Sequence, residues 1–240
     1  MKNIIVTGGS GSIGSAIVKS LIRSGHNVGY TYLNNEGEKE EIWKLADHNN
    51  VKVCMYKLDI KNETEVSKFV EEYTEQFGDI DVLINNAGVS TSSLIFSLDS
   101  DSLDYVIDTN VKGTILLTKY VSKKMMRRKA GLIINTSSMA GVRGGSGVSA
   151  YAASKGAINS FTKSMAIELS KWNIRCIAIA PGYVNSDMIS DLKDVHKEEL
   201  KDRILMGRFG EPYEVAEMVE FFIEKGQFSN GSIYEIDGGM

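Results

Sequence analysis

Tyr151 and Lys155 stand four residues apart in Tyr151-Ala152-Ala153-Ser154-Lys155, and on a helix that spacing projects both side chains from one face. A phenol beside an ammonium has a specific chemical use. Free tyrosine titrates near 10, and a neighbouring cation favours the phenolate, so the expected result is a lowered pKa and a group able to give and take a proton near neutrality. By themselves a Tyr and a Lys one turn apart are ordinary surface residues. Here Leu132-Ile133-Ile134-Asn135 runs into Thr136-Ser137-Ser138, Asn85-Asn86-Ala87-Gly88 follows another apolar run, and Asn110 lies within a long helical segment.

A second cluster is Thr7-Gly8-Gly9-Ser10-Gly11-Ser12-Ile13-Gly14, between the β-branched run Ile4-Ile5-Val6 and the helical run Ser15 to Arg23. Glycines let the backbone turn sharply and approach a pyrophosphate, while the helix N-terminus offers free N–H groups and a positive dipole end. At this place in a βαβ unit the turn predicts dinucleotide binding. An acidic residue at the end of the second strand would bind the ribose 2′-hydroxyl and repel a 2′-phosphate. Tyr30-Thr31-Tyr32-Leu33-Asn34 carries no carboxylate, and Glu36 and Glu38 are expected in the first turn of the next helix. This favours NADPH over NADH, although no Arg stands at Gly11 or directly after Tyr32 to hold the extra phosphate.

The elements that must position these residues alternate. Ile4 to Val6, Val28 to Tyr32, Val51 to Tyr56, Val82 to Ile84, Leu132 to Asn135 and Ile174 to Ile179 read as strands. Between them Ala16 to Leu21, Glu36 to Asp47, Glu63 to Phe77, Leu103 to Met126 and Ala152 to Leu169 read as helices. Such alternation predicts an α/β fold, a doubly wound, Rossmann-type parallel sheet with helices on both faces. Pro occurs only at Pro181 and Pro212 and no linker divides the chain, so residues 1–240 are expected to form a single dinucleotide-binding and catalytic domain. A charged helical stretch, 186–208, interrupts the rhythm after Ile179, and either a substrate lid or a solvated surface helix pair fits it.

Composition narrows the partners. The 240 residues are 42% hydrophobic and 24% charged, which is ordinary globular usage, and 27 Lys and Arg against 31 Asp and Glu leave a net charge of -4. No nucleic-acid partner is expected from so weak a basic field. A local exception is Lys123, Lys124, Arg127, Arg128 and Lys129, read first as a helix C-terminus. Cys54 and Cys176 sit in strand-like runs and suggest buried thiols in a reducing compartment. His26, His48 and His196 are far apart, so no metal is expected. Neither a signal peptide nor a spanning helix is read at Met1 to Thr7, and a cytoplasmic location is expected.

In these motifs the chain resembles the short-chain dehydrogenase/reductase family from end to end. The matching pieces are the Thr7 to Gly14 turn, Asp59, Asn85 to Gly88, Asn110, Ser138, Tyr151, Lys155 and Pro181-Gly182. The resemblance implies that Tyr151 protonates a substrate carbonyl oxygen and that Ser138 hydrogen-bonds the same oxygen. It implies that Lys155 binds the nicotinamide ribose, and that Asn110 holds a water linking Lys155 to solvent. Asp59 with Ile60 would meet the adenine, Asn86, Ala87 and Gly88 would line the cofactor, and Pro181, Gly182, Val184 and Ser186 would hold the nicotinamide carboxamide. Ser12 stands where the family usually has glycine, and Ser186 where it usually has threonine.

Within the family the chain is most similar to 3-oxoacyl-[acyl-carrier-protein] reductases, in Gly207-Arg208-Phe209-Gly210-Glu211-Pro212 and in Ile236-Asp237-Gly238-Gly239-Met240. That implies NADPH-dependent reduction of a 3-oxoacyl thioester in fatty acid biosynthesis, a homotetramer, and docking of an acidic acyl carrier protein at Arg127, Arg128 and Lys129. Trp172 departs from a second docking Arg. Val89, Leu94, Ile95, Phe96, Met139, Val142, Met188 and Ile189 suggest an apolar pocket edge. The alternatives are a short-chain alcohol or carbonyl dehydrogenase of another small substrate, and a dinucleotide-sensing protein without activity.

Overall fold

The structure, a computed structural model, describes residues 1–186, 189 and 194–240. Among them seven parallel strands form one sheet: β1 (Asn3–Val6), β2 (Asn27–Tyr32), β3 (Val53–Lys57), β4 (Val82–Asn85), β5 (Gly131–Thr136), β6 (Ile174–Pro181) and β7 (Ile233–Ile236). Their order is β3-β2-β1-β4-β5-β6-β7, so the winding reverses between β1 and β4. In such sheets ligands bind outside the carboxyl ends of the strands at that reversal.

Alternation along each strand divides the core into two layers. Ile4, Val6, Val82, Ile84, Leu132 and Ile134 face one side, where they meet α1 (Ser12–Arg23), α2 (Lys39–Asn49) and α9 (Pro212–Glu224). Ile5, Leu83, Ile133 and Cys176 face the other, against α3 (Glu63–Phe77), α5 (Thr114–Arg128) and α7 (Ser149–Leu169). Strands buried on both faces read as unbroken apolar runs, which is why they were recognisable in the sequence. Helix starts follow local chemistry. The Asn62 side chain accepts from Thr64 and Glu65 N–H at the head of α3. Pro212 begins α9, where the Glu214 carboxylate accepts the Glu211 N–H at 2.7 Å.

The expected doubly wound sheet is present, and several boundaries are corrected. β3 starts at Val53, since Val51 N–H returns to Ala46 O to close the end of α2. The segment 103–126 extends to Ser100 and Arg128 and is not uniform: α4 (Ser100–Ile107) and α5 are joined by a π-helical turn, Asp108–Gly113. Glu38 is the N-cap of α2 and Glu36 precedes it, so neither lies in the first helical turn. α9 and β7 continue the rhythm beyond Ile179. Cys176 is buried, but Cys54 on edge strand β3 is only partly so. In the 186–208 stretch, α8 (Asp194–Lys201) follows residues 187–188 and 190–193, which lie outside the described residues with Met188 and Leu192.

One buried polar ladder crosses the sheet beneath the carboxyl ends. Asn85 Nδ2 donates to Asn135 Oδ1 at 2.9 Å and to Thr118 Oγ1 at 3.1 Å, and Asn135 Nδ2 donates to Thr162 Oγ1 at 2.9 Å. It ties the tips of β4 and β5 to α5 and α7. Asn135→Leu keeps the volume but removes both bonds of the Asn135 amide, leaving Asn85 Nδ2 with Thr118 and the Thr162 hydroxyl with Ile158 O. Losing these two buried hydrogen bonds should cost about 1–3 kcal/mol, read as a lower midpoint in urea unfolding. A variant as stable as wild type would contradict the importance of the ladder.

Candidate active site

The glycine turn is built by close contacts that leave no room for side chains. Gly8 has φ of +62°, the left-handed region, and a Cβ there would sit 2.9 Å from Ala87 Cα. A Cβ on Gly14 would lie 2.1 Å from Gly8 O and 2.8 Å from the Asn86 amide nitrogen. Thr7 Oγ1 accepts the N–H groups of Asn86 and Ala87, each at 3.0 Å, and Asn86 Nδ2 donates back to Thr7 O and Gly8 O at 3.1 Å. Thus Thr7, Gly8, Gly14, Asn86 and Ala87 form one interlocked unit across the reversal. The Asn86 Nδ2 gives both of its hydrogens to this lock.

Gly9 packs flat on Tyr30, while Ser10 O meets Gly37 of the β2–α2 loop. Gly11 caps α1 without a side-chain hydrogen bond, and the first intrahelical bond is Ser15 N–H to Gly11 O at 2.7 Å. Ahead of that bond the chain enters the first turn of α1 at Ser12, Ile13 and Gly14, the positive end of the helix dipole. This cradle fits a dinucleotide pyrophosphate. Asp59 and Ile60 lie beyond β3, with Ile60 against Gly113 of the π-helical turn. Glu36 is held by Tyr32 and Lys39, and Glu38 accepts from Ser15 Oγ at 2.5 Å and pairs with Lys19 at 3.1 Å.

The proposed proton-handling residues converge at the carboxyl ends of β4, β5 and β6. α7 carries both Tyr151 and Lys155, and the Lys155 ammonium lies 5.7 Å from the centre of the Tyr151 ring. Lys155 Nζ donates to Thr136 O at 2.7 Å. Ser138 follows β5, hydrogen-bonds Tyr151, and its Oγ accepts the Ala140 N–H at 3.1 Å at the head of α6 (Ala140–Arg143). Gly88 closes the floor, since a Cβ there would stand 3.2 Å from Asn110 Oδ1 and 3.3 Å from Lys155 Nζ. Pro181 ends β6 and Gly182, Val184 and Ser186 follow it, with Met139 N–H donating to Pro181 O at 3.0 Å.

One expectation about this cluster is corrected. Burial pushes the Tyr151 phenol up, offset in part by the Ser138 side chain, so the net direction is opposite to the lowering expected beside Lys155. Lys155 is itself buried and pushed down to about 8 by loss of hydration. The Asn110 side chain is fully committed: it accepts Val89 N–H at 2.8 Å and donates to Val89 O and Ser154 Oγ at 2.8 and 2.9 Å. Ser154 and the Thr136 carbonyl were missed. Ser154 sits inside the Tyr151 to Lys155 motif and was within reach of sequence reasoning; a backbone carbonyl carries no sequence signal.

Leu94, Ile95, Phe96 and Val142 are exposed, whereas Met139 is buried. Val89 and Ile189 are mostly covered. Among the described residues no three His, Cys, Asp or Glu side chains gather to hold a metal ion. No described helix is long and apolar enough to cross a membrane.

The cradle predicts opposite results at neighbouring glycines. Gly14→Ala should weaken nucleotide binding at least tenfold by fluorescence titration, while Gly11→Ala, with its nearest neighbour at 3.7 Å, should stay within about twofold. Equal affinities would contradict the cradle. For Lys155 the folded pKa lies below the unfolded one, so between about 8 and 10.5 the unfolded chain binds more protons. Its contribution to stability therefore rises with pH across that window and is lost as pH falls through 8. Urea midpoints from pH 7 to 10.5 should rise more steeply in wild type than in Lys155→Met; parallel curves would show an ordinary lysine.

A family model described as short chain dehydrogenase matches residues 2–197. Three relatives, each named 3-oxoacyl-[acyl-carrier-protein] reductase, align over the whole chain. The protein from Chlamydia muridarum is 36% identical across 97% of its own length, that from Staphylococcus aureus 34% across 98%, and that from Staphylococcus epidermidis 33% across 98%. The cradle, the half-buried tyrosine with its buried lysine, and full-length identities above 30% agree that the chain belongs to the short-chain dehydrogenase/reductase family of NAD(P)-dependent oxidoreductases.

Proposed function

We propose that the protein reduces 3-oxoacyl thioesters, linked to an acyl carrier protein or to coenzyme A, to secondary alcohols with NADPH. The observation that carries the reading is the convergence of Tyr151, Ser138 and Lys155 beside the glycine cradle. Reduced nicotinamide, when bound, supplies the hydride. Thr7 to Gly14 would hold the pyrophosphate at the head of α1, Asp59 and Ile60 the adenine, and Ala87 and Gly88 the adjoining wall. Pro181, Gly182, Val184 and Ser186 would face the carboxamide, and Lys155 the ribose hydroxyls.

In this mechanism Ser138 donates a hydrogen bond to the substrate carbonyl oxygen and Tyr151 transfers its phenolic proton there, so no free alkoxide forms. A phenol pushed up by burial is protonated at neutral pH and ready to act as the acid. As it gives up the proton, the nearby ammonium of Lys155 stabilises the phenolate. Asn110, whose side chain fixes Val89 and Ser154, would hold the water that links Lys155 to solvent.

Preference for NADPH is supported by the absence of a carboxylate on Tyr32 to Asn34, with Glu36 and Glu38 already engaged by Tyr32, Lys39, Ser15 and Lys19. The names of the relatives and the apolar rim of Leu94, Ile95, Phe96 and Val142 support an acyl substrate. Of the basic docking residues, Arg128 is paired with Asp81 at 2.7 Å, which leaves exposed Arg127 and Lys129 to meet an acidic carrier protein. Exposed Leu103, Tyr105, Ile115 and Ile167 on α4, α5 and α7 fit a homotetramer, and the reading places the enzyme in the cytoplasm.

Acetoacetyl-CoA with NADPH or NADH tests the reading. NADPH should be oxidised faster than NADH, and Tyr151→Phe should lower kcat by about 10²-fold or more with nucleotide affinity within a few fold. Undiminished turnover in Tyr151→Phe would remove the tyrosine from the mechanism. Turnover of other ketones but not of the thioester would leave a dehydrogenase of a different substrate.

A further inference from the structure

The ending Ile236-Asp237-Gly238-Gly239-Met240 is a meeting point for three parts of the site. Gly182 N–H donates to Ile236 O at 2.9 Å, and a Cβ on Gly182 would stand 2.8 Å from Asp237 Cα. Leu205 and Met206 N–H donate to Gly239 O and Gly238 O at 3.4 and 3.0 Å. Asp237 Oδ1 accepts the Gly239 N–H at 2.9 Å, and Oδ2 lies 3.1 Å from Nη2 of Arg143, an ionic contact outside hydrogen-bond alignment. Arg143 ends α6, the short helix that starts two residues after Ser138.

We propose that Asp237 is a positioning residue for carbonyl reduction: holding Arg143 with one carboxylate oxygen and Gly239 with the other, it sets Ser138 relative to the Pro181-Gly182 turn. The proposal rests on the functional reading above. α6 is one turn long and is fixed at its start by Met139 N–H on Pro181 O and along one side by Gly141, which abuts the Lys155 backbone. Arg143 secures its far end, and Asp237 belongs to the strand end on which Gly182 hangs. The acceptor of the ion pair, Asp237, and the anchor of the turn, Ile236 O, are therefore adjacent residues at one strand end.

Stability does not account for the pair, because the Arg143 side chain is 42% exposed and such an ion pair contributes little. Geometry does, since a displacement of about 1 Å at a reacting group can cost about 10²-fold in rate. Glu235 Oε2 accepts a hydrogen bond from Arg143 Nη2 at 3.1 Å, but its side chain is 42% exposed, against 12% for Asp237, and among the described residues it holds nothing else in the site.

Arg143→Gln, Asp237→Asn, the double variant and Glu235→Gln are compared with wild type for acetoacetyl-CoA reduction at saturating NADPH. Arg143→Gln and Asp237→Asn should each lower kcat by about tenfold, with the KM for NADPH within twofold and Tm within a few degrees. The double variant should be no slower than the worse single one, as expected of two residues acting through one contact. Arg143→Lys should recover part of the loss, and Glu235→Gln should behave as wild type. Unchanged kcat, multiplying losses in the double variant, or an effect confined to the KM for NADPH would overturn the proposal.

Hydrogen exchange decides it independently of turnover. Arg143→Gln should speed amide exchange at Val142 and Arg143 and also at Leu205 and Met206, with β5 unchanged. Faster exchange at only one of the two segments, or at neither, would break the link through Asp237. If wild type turns over no ketone at all, the functional reading fails, and the exchange result still stands or falls by itself.

Discussion

The hydrogen bond between Asn85 and Asn135 is the constraint on which the site depends. It joins the ends of β4 and β5 where no water reaches, and each amide extends the link to a helix, Asn85 to Thr118 on α5 and Asn135 to Thr162 on α7. A buried amide must find its partners or bear the cost of desolvation. The bonds made by their amide NH2 groups bring four elements to one register, while the Asn85 Oδ1 has no partner among the described residues. Asn86 to Gly88 leave the tip of β4, Ser138 leaves the tip of β5, Tyr151 and Lys155 lie two to three turns up α7, and Asn110 lies one turn before α5. The chemistry sits on top of a polar clamp.

Above the clamp, charge is managed by burial. Lys155 is 4% exposed and has a single backbone acceptor, Thr136 O, so its ammonium is poorly compensated. Tyr151, enclosed beside it, holds its proton more firmly than a free phenol. This differs from the simple expectation that the cation lowers the phenol's pKa, because desolvation acts on both groups and the Coulomb gain requires the lysine charge to be close and aimed. Proximity in sequence gave the pair; the balance between attraction and lost hydration needed coordinates.

Much of the fold was legible because its strands are buried on both faces and its turns carry glycine. The strand order could be reached from alternation and right-handed crossovers alone. The miss beyond Ile179 has a physical cause: β7 is short and half-covered, and α9 follows a charged stretch, so neither shows the unbroken apolar run of a central strand. In the site, Tyr151, Lys155, Ser138 and the glycine cradle were readable as side-chain types at set spacings. The partners of the Asn86 and Asn110 amides were not, for the sequence shows that an amide is present but not which carbonyl it meets. Arg128 likewise read as a free docking charge, and only folding sets Asp81 against it.

The central claim is that this site moves a hydride to a carbonyl carbon while Tyr151 supplies the proton to its oxygen. Reduction of acetoacetyl-CoA with NADPH carrying deuterium at the transferable positions of nicotinamide carbon 4 tests it most directly, with the product read by mass spectrometry. One deuterium bound to carbon 3 of the 3-hydroxyacyl product, retained after exchange in ordinary water, is the predicted result. Product without deuterium at carbon 3, or label found only in solvent, would contradict hydride transfer at this site.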